Sequence, residues 1–484
     1  MRLSSRDERR GGKRDFRLAA AVLLWAAAAA YGVAAVAIGR PVLDIRLSVS
    51  EPRGIVIVAF DALRADHVSC YGYPRHTTPN IDAVAADGVT FERAYTNGNW
   101  TKPSISSLFT GLWASECGTL TQLTRPEDAG VRIESVLSPK VRTLAEVLTE
   151  RGYACGGFVR NAHLDGALGF GRGFEIYRQG EMDCDELVRQ FLAWRGGLGE
   201  GRKFFTYVHI VEPHAPYEPR EPFKSEFAPG VNNAPVVPEN AGYGVWGTFR
   251  DGVNKGKTML SKAQIGELRD LYDADIAWSD EALGTLVAGL KARGDYDETL
   301  LVLLADHGEN FAEHGYVAHP AWTLFEEQIR IPMVIKFPKS WGIPVRRVSE
   351  PVEMMDVTAT VAAAAGGRLG RGDDLAGYVA GGAMPERMIV TQSVSGFAVG
   401  MGGLKAVFST EGGTVAMTGL YNVLVDPETR VNVMEKRPSF CDRLTARAAK
   451  WYKFVSERGR ADAGQGVMTD DERLRQLKAL GYVQ

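Results

Sequence analysis

Cysteine is scarce, and its spacing suits no dedicated chemistry. Cys70, Cys117, Cys155, Cys184 and Cys441 form no CxxC pair and no metal-finger pattern, which excludes a zinc ribbon and a redox dithiol. In an exported chain five thiols could close one or two disulfides and leave an odd one, with a connectivity the sequence does not reveal. An excess of positive charge is also lacking. With 56 Lys and Arg against 59 Asp and Glu, a net charge of −3, there is no basic stripe, so nucleic acid drops out as a partner. Internal repeats are missing too. The 484 residues, 45% hydrophobic and 24% charged, have the composition of an ordinary globular chain able to bury a large core.

The N-terminus departs from that composition. Residues 1–17 carry seven Arg/Lys against three Asp/Glu, and Leu18 to Gly39 then runs uncharged. At a helical rise of about 1.5 Å per residue this run reaches roughly 33 Å, enough for a hydrocarbon core of about 30 Å. The expectation is a transmembrane anchor over 18–39 behind a basic cytoplasmic flank, with a linker over 40–53 and everything beyond exported. The motifs VAA and AVA near its end keep a cleaved secretory signal open as the alternative. Either way the bulk of the chain is expected outside the cytoplasm, at the periplasmic face of a cell inner membrane.

From residue 54 onward strand and helix signals alternate. GIVIVAF (54–60), YACGGFVR, KFFTYVHIV and TLLVLLA read as buried strands. PNIDAVAADG, TLAEVLTERG, DELVRQFLAWRG and the long stretch from LSKAQ to LKARG read as helices. This order predicts a largely parallel sheet covered on both faces, with ligands at the carboxyl ends of its strands. Residues 216–260, rich in Pro, Gly and Asn, read as a long loop of the lid type. Short apolar runs after about residue 385 suggest a small antiparallel appendage, so the expected division is 54–384 and 385–484.

Three strand ends carry chemistry. GIVIVAF delivers Asp61, TLLVLLA delivers Asp306 and His307, and KFFTYVHIV delivers His209 and then His214; His314 and His319 follow in HGYVAHP. Any one of these is an ordinary turn or capping residue taken alone. Together, carboxylates and imidazoles on one sheet edge form a mixed oxygen and nitrogen set suited to one divalent metal, Mn or Zn ahead of Ca or Mg. In NWTKPSISSLFTG, Thr101 stands at the mouth of a helix, as a cap or as a nucleophile. Asp273, Asp275 and Asp280 in LYDADIAWSDEALG read as capping or ion-pairing residues of the long helix. Arg64 and Asp66 read as buried structural partners.

FDALRADHVSCYGYPRHTTPNIDAVAADGVTFERAY, WTKPSISSLFTG, HIVEPHAPY, ADHGENFAEHGYVAHPAWTLFEEQIRIPMVIKFP and LYNVLVDPETRVNV, in that order, resemble the sulfatase branch of the alkaline phosphatase superfamily. The resemblance implies an alkaline-phosphatase-like α/β/α sandwich with a small C-terminal α+β subdomain. It implies Asp61, Thr101, Asp306 and His307 as metal ligands, with Thr101 the nucleophile, and His214 and His319 as substrate-binding residues. His209 and Lys102 are further candidates for substrate contact.

The departures from the family pattern bear on the chemistry. Sulfatases use Cys or Ser in C/S-x-P-x-R, converted to formylglycine, whereas this chain has Thr101 and Ile105; many begin with an Asp-Asp pair, whereas Ala62 follows Asp61. A Thr nucleophile resembles the phosphodiesterase and phosphotransferase relatives. The expectation is hydrolysis, or transfer, of phosphate mono- or diesters through a phosphothreonine, the substrate being a small molecule, a lipid or a glycan ester. Sulfate ester hydrolysis without formylglycine, or a catalytically silent envelope binding protein, are the alternatives.

Overall fold

The computed structural model describes residues 50–121, 123–124, 132–231, 242–384, 386–462 and 467–468. The expected anchor over 18–39 lies outside the described residues. Among those described, no helix is long and apolar enough to cross a membrane.

Eight strands form the central sheet: β1 (Gly54–Phe60), β2 (Val89–Phe91), β3 (Ala154–Val159), β4 (Ile176–Gln179), β5 (Phe204–Ile210), β6 (Thr299–Ala305), β7 (Met333–Lys336) and β8 (Arg346–Val348). Their order is β8-β2-β7-β6-β1-β5-β3-β4. The sheet is largely parallel, as expected, with one reversed strand among the eight described: β7 runs antiparallel to both β6 and β2 and makes the sheet mixed. Its sequence PMVIKFP gives no sign of direction, since a buried apolar run reads alike either way. Every residue of β1, β3, β5 and β6 is buried, as a strand covered on both faces requires.

Parallel register aligns the ends that matter. Phe60 pairs with Ile210 on one side and with Ala305 on the other, so Asp61 and Asp306 leave the sheet at one level beside His209. Around the sheet pack α1 (Pro79–Ala85), α2 (Thr101–Thr110), α3 (Leu144–Glu150), α4 (Cys184–Gly197), α5 (Phe223–Phe227), α6 (Gly242–Asn254), α7 (Lys262–Ala292) and α8 (Met354–Ala364). The start of α7 is fixed by a capping box between Ser261 and Gln264.

The lid-like reading of 216–260 is also corrected. Short helices α5 and α6 occupy much of it, and Trp246, Phe249 and Val253, spaced three and four residues apart, are buried in the main core. A second core lies under a four-stranded antiparallel sheet, β9 (Ile389–Ser393), β10 (Gly396–Met401), β11 (Leu404–Ser409) and β12 (Ala416–Asn422), followed by α9 (Pro438–Asp462). Phe397, Phe408 and Leu420 from that sheet meet Leu444, Ala448 and Trp451 from α9. All five cysteines are free thiols.

Candidate active site

The ends of β1 and β6 bring Asp61, Asp306 and His307 together, all fully buried, with one ligating atom of each within 4.8 Å of the others. Each carboxylate spends one oxygen on being held. Asp61 Oδ2 accepts from Asn161 Nδ2 at 2.7 Å and faces His209 Nε2 at 3.1 Å. Asp306 Oδ1 accepts from the backbone N–H groups of Ala62 (3.1 Å) and His307 (2.8 Å). The remaining oxygens, Asp61 Oδ1 and Asp306 Oδ2, have no hydrogen-bond donor among the described residues, and each lies 3.5 Å from His307 Nε2.

Fixing of His307 completes the set. Its Nδ1–H donates to Gly308 O at 2.9 Å, a tautomer that directs the Nε2 lone pair at the two free oxygens. Gly308 is required there, since a Cβ would come within 2.0 Å of Glu327 O. Ala62 takes a left-handed φ of 58°, unusual for alanine, and thereby aims its N–H at Asp306. A buried polar group without a partner costs roughly 1–3 kcal/mol, and more when charged. Two such oxygens converging on one imidazole nitrogen fit a divalent cation, and Asp61, Asp306 and His307 are the residues that could hold it.

Thr101 is the first residue of α2, not its cap. Trp100 is the N-cap, with an extended backbone (φ −159°), and makes no side-chain capping bond, because its indole offers a donor but no acceptor for the first helical N–H groups. Thr101 Oγ1 lies 3.4 Å from His307 Nε2 and 3.4 Å from Asn161 Nδ2, beside the carboxylates. All ten residues of α2 are buried, and Ile105 belongs to the main core.

Across from Thr101, His214 Nε2 and His319 Nε2 approach to 3.3 Å, and the His319 ring stands 4.4 Å from that of His307. His319 Nδ1 lies 3.3 Å from Glu309 Oε1, whose other oxygen accepts from the Tyr217 hydroxyl at 2.5 Å. His209 hydrogen-bonds Tyr207 through Nδ1 and Asp61 through Nε2. Lys102 turns the other way, its Nζ 2.6 Å from Glu134 Oε2 in a buried ion pair. His314 does not join the cluster. It stacks on Phe325 at 3.8 Å, 3.4 Å from Glu327.

The electrostatics reflect burial set against charge. Burial works to raise Asp61, but the imidazoles of His214, His209 and His307 outweigh it and hold the carboxylate well below its usual range. Burial and the Asp61 charge push Asp306 up to about 6. Burial also lifts Glu309 to about 8 and keeps His214 and His319 below the usual histidine value. His209 moves the other way, burial being outweighed by its bond to Asp61.

Sequence reasoning missed Asn161 and Glu309. Asn161 stands two residues beyond β3, a fourth strand ending at the same edge, and inspection of that end would have found it. Glu309 sits in ADHGEN, three residues after Asp306, and only its contacts with Tyr217 and His319 mark it. The aspartates of α7 act on other elements rather than on their own helix. Asp273 binds His67, Tyr73 and Arg75, and Asp280 takes the N–H groups of Asn80 and Ile81 at the start of α1. Arg64 is buried, but its partner Asp66 has a side chain 56% exposed, so that pair is only half interior.

A mixed α/β sheet with buried carboxylates and imidazoles on its carboxyl edge places the chain in the alkaline-phosphatase-like class. The crystal structure of phosphonate monoester hydrolase from Agrobacterium radiobacter shares this fold, with a TM-score of 0.61 at 18% identity, covering 87% of this chain and 100% of that one. The sulfatase family model matches residues 53–367. The chain belongs to the sulfatase family of the alkaline phosphatase superfamily, a family of ester hydrolases. It is 27% identical to human arylsulfatase A over 421 residues, 76% of each chain, and 24% identical over 351 residues to the Escherichia coli K12 protein described as uncharacterized sulfatase YidJ, 64% of this chain and 67% of that one.

Proposed function

We propose that the chain is a metal-dependent hydrolase of phosphate mono- or diesters, with Thr101 as nucleophile, exported and tethered to the membrane by residues 18–39. The observation that carries the reading is the position of Thr101 Oγ1, 3.4 Å from His307 Nε2 and beside the free oxygens of Asp61 and Asp306. A secondary hydroxyl there suits direct attack and not conversion to formylglycine. A divalent cation held by Asp61, Asp306, His307 and Thr101 would ease loss of the hydroxyl proton and offset charge on the transferring group.

Thr101 Oγ1 attacks phosphorus as the ester oxygen departs with its pair of electrons, leaving a phosphothreonine that water cleaves. An acceptor alcohol in place of water turns the same sequence into transfer. Asn161 holds Asp61 and borders the hydroxyl, keeping nucleophile and carboxylate in one geometry. The first N–H groups of α2 have no helical acceptor and favour the anionic oxygens of the substrate. His214 and His319, on the facing side, hydrogen-bond those oxygens, with Glu309 orienting His319.

Sulfate ester hydrolysis is the second reading, favoured by the likeness to human arylsulfatase A; the fold likeness to a phosphonate monoester hydrolase favours the first. The deciding experiment assays the full chain, with Mn or Zn, on aryl phosphate monoesters, diesters, phosphonates and sulfates. Phosphoryl turnover is expected, abolished in Thr101→Ala, with phosphate recovered on Thr101 by mass spectrometry after brief reaction. Turnover of sulfates alone, or label on another residue, overturns the reading.

A further inference from the structure

His214 faces two ways. Its ring meets His319 on the catalytic side, and it also lines a separate cavity of about 240 Å³ between the ends of β3 and β5, the start of α4 and the middle of α7. Five carboxylates border that cavity, those of Glu181, Asp183, Glu212, Glu218 and Asp275, against one cation, Arg160. Arg160 is already engaged, with Nη1 3.2 Å from Glu212 Oε1 and Nε 3.8 Å from Glu181 Oε2. Glu212 is further spent on the backbone N–H groups of Cys184 and Val211.

Asp275 is different. It is 1% exposed, it lines the cavity, and its Oδ2 accepts from Glu218 N at 3.0 Å. Among the described residues no hydrogen bond reaches its Oδ1. On α7 its neighbours one turn away, Leu271, Tyr272, Trp278 and Ser279, carry no charge. Burial, then the charges of Glu212 and Glu218, hold Asp275 well above the usual carboxylate range, the condition of a carboxylate short of a cation. Trp278 and Met182 add apolar surface to the same wall.

We propose that this cavity seats a protonated amine carried by the non-transferred part of the ester substrate, with Asp275 as its principal partner. The inference rests on the reading of the chain as a phosphate ester hydrolase and narrows its substrate to aminoalkyl or amino-sugar esters. His214 joins the two subsites: one side chain borders both the reacting group and the cavity, so a single substrate can reach both. A neutral hydroxyl could bond Asp275 equally well but would leave the excess of carboxylates uncompensated, whereas an ammonium satisfies both.

The test compares two aryl methyl phosphodiesters on the metal-loaded full chain, one bearing a 2-aminoethyl and the other an isosteric propyl group on the departing aryl ring, with release of the phenol as the readout. The aminoethyl diester is expected to show a kcat/KM higher by about tenfold or more, carried mainly by KM, with the ratio falling towards one in Asp275→Asn. Equal values in the wild type, or a preference that survives Asp275→Asn, overturn the proposal. Because Asp275 is buried, Glu218→Gln at the exposed rim provides a second variant, expected to narrow the ratio about threefold; an unchanged ratio counts against the site. Calorimetric titration of 2-aminoethanol, with 1-propanol as control, requires no turnover. Binding by the wild type that Asp275→Asn loses supports the amine site, and no binding refutes it. If neither diester is cleaved, the phosphate reading fails and this titration alone decides the cavity.

Discussion

Two groups of buried aspartates sit on opposite sides of one construction principle. At the sheet edge, Asp61 and Asp306 are each anchored through one oxygen and leave the other without a donor. On α7, Asp273 and Asp280 are satisfied at both oxygens: Asp273 by His67, Tyr73 and Arg75, Asp280 by Asn80 and Ile81. Residue type and burial are the same, and the division of donors differs. A carboxylate whose oxygens are all used is cement, while one held by half and open by half awaits a ligand. Asp275, two residues from Asp273 on the same helix, belongs with the first group by this measure.

The comparison breaks most visibly if the open oxygens are not a metal site. Purified full chain should carry close to one divalent ion, measured by elemental analysis, and adding Mn or Zn after chelation should raise its melting temperature. Asp306→Asn should lose the ion and at least about a hundredfold of activity. Retention of the ion in both Asp61→Asn and Asp306→Asn would place it elsewhere.

A smaller effect is expected on the satisfied side. Asp273→Ala strips His67, Tyr73 and Arg75 of their shared acceptor and should cost about 3 kcal/mol in denaturant unfolding, with metal content retained. A loss of metal without loss of stability would reverse the assignment of the two groups.

The smallest is a pH effect. Burial outweighs the N–H bonds to Asp280 and lifts it to about 7, from an ordinary value of 3.8. Between about pH 4 and 7 the folded chain therefore keeps a proton that the unfolded chain has lost, so Asp280 favours folding at the acid end and the advantage fades as pH rises. From pH 5.5 to 7.5 the wild type should lose on the order of 1–2 kcal/mol relative to Asp280→Asn, read from paired melts. A flat difference would mean that the N–H groups hold Asp280 ionised throughout.

Much of the site was legible because it lies at strand ends. Buried strands such as GIVIVAF and TLLVLLA announce themselves by composition, and parallel register sets the residues just beyond them at the sheet edge. Thus Asp61, His209, Asp306 and His307 could be named together, and the structure brings them together. Asn161, at the end of a strand of the same kind, was open to the same logic. Lys102 was not: adjacency to Thr101 suggested a common task, but successive helical residues diverge by about 100°, and its ammonium meets Glu134 instead. The direction of β7 and the helices within 216–260 were equally hidden, the first because apolar runs carry no polarity, the second because Gly and Pro spread through the segment, Gly247 and Gly252 within α6 itself, masked the spacing of Trp246, Phe249 and Val253.

The sequence by itself determined the family, the α/β order and the residue types that meet at the sheet edge, because hydrophobic period and motif order are local properties of the chain. Tertiary structure alone decided which oxygen of each carboxylate is occupied, that His314 stands apart from His319, and that Asp275 opens into a cavity while Asp273 does not. Those distinctions depend on donors and walls supplied by segments far away in the chain, and no local pattern encodes them.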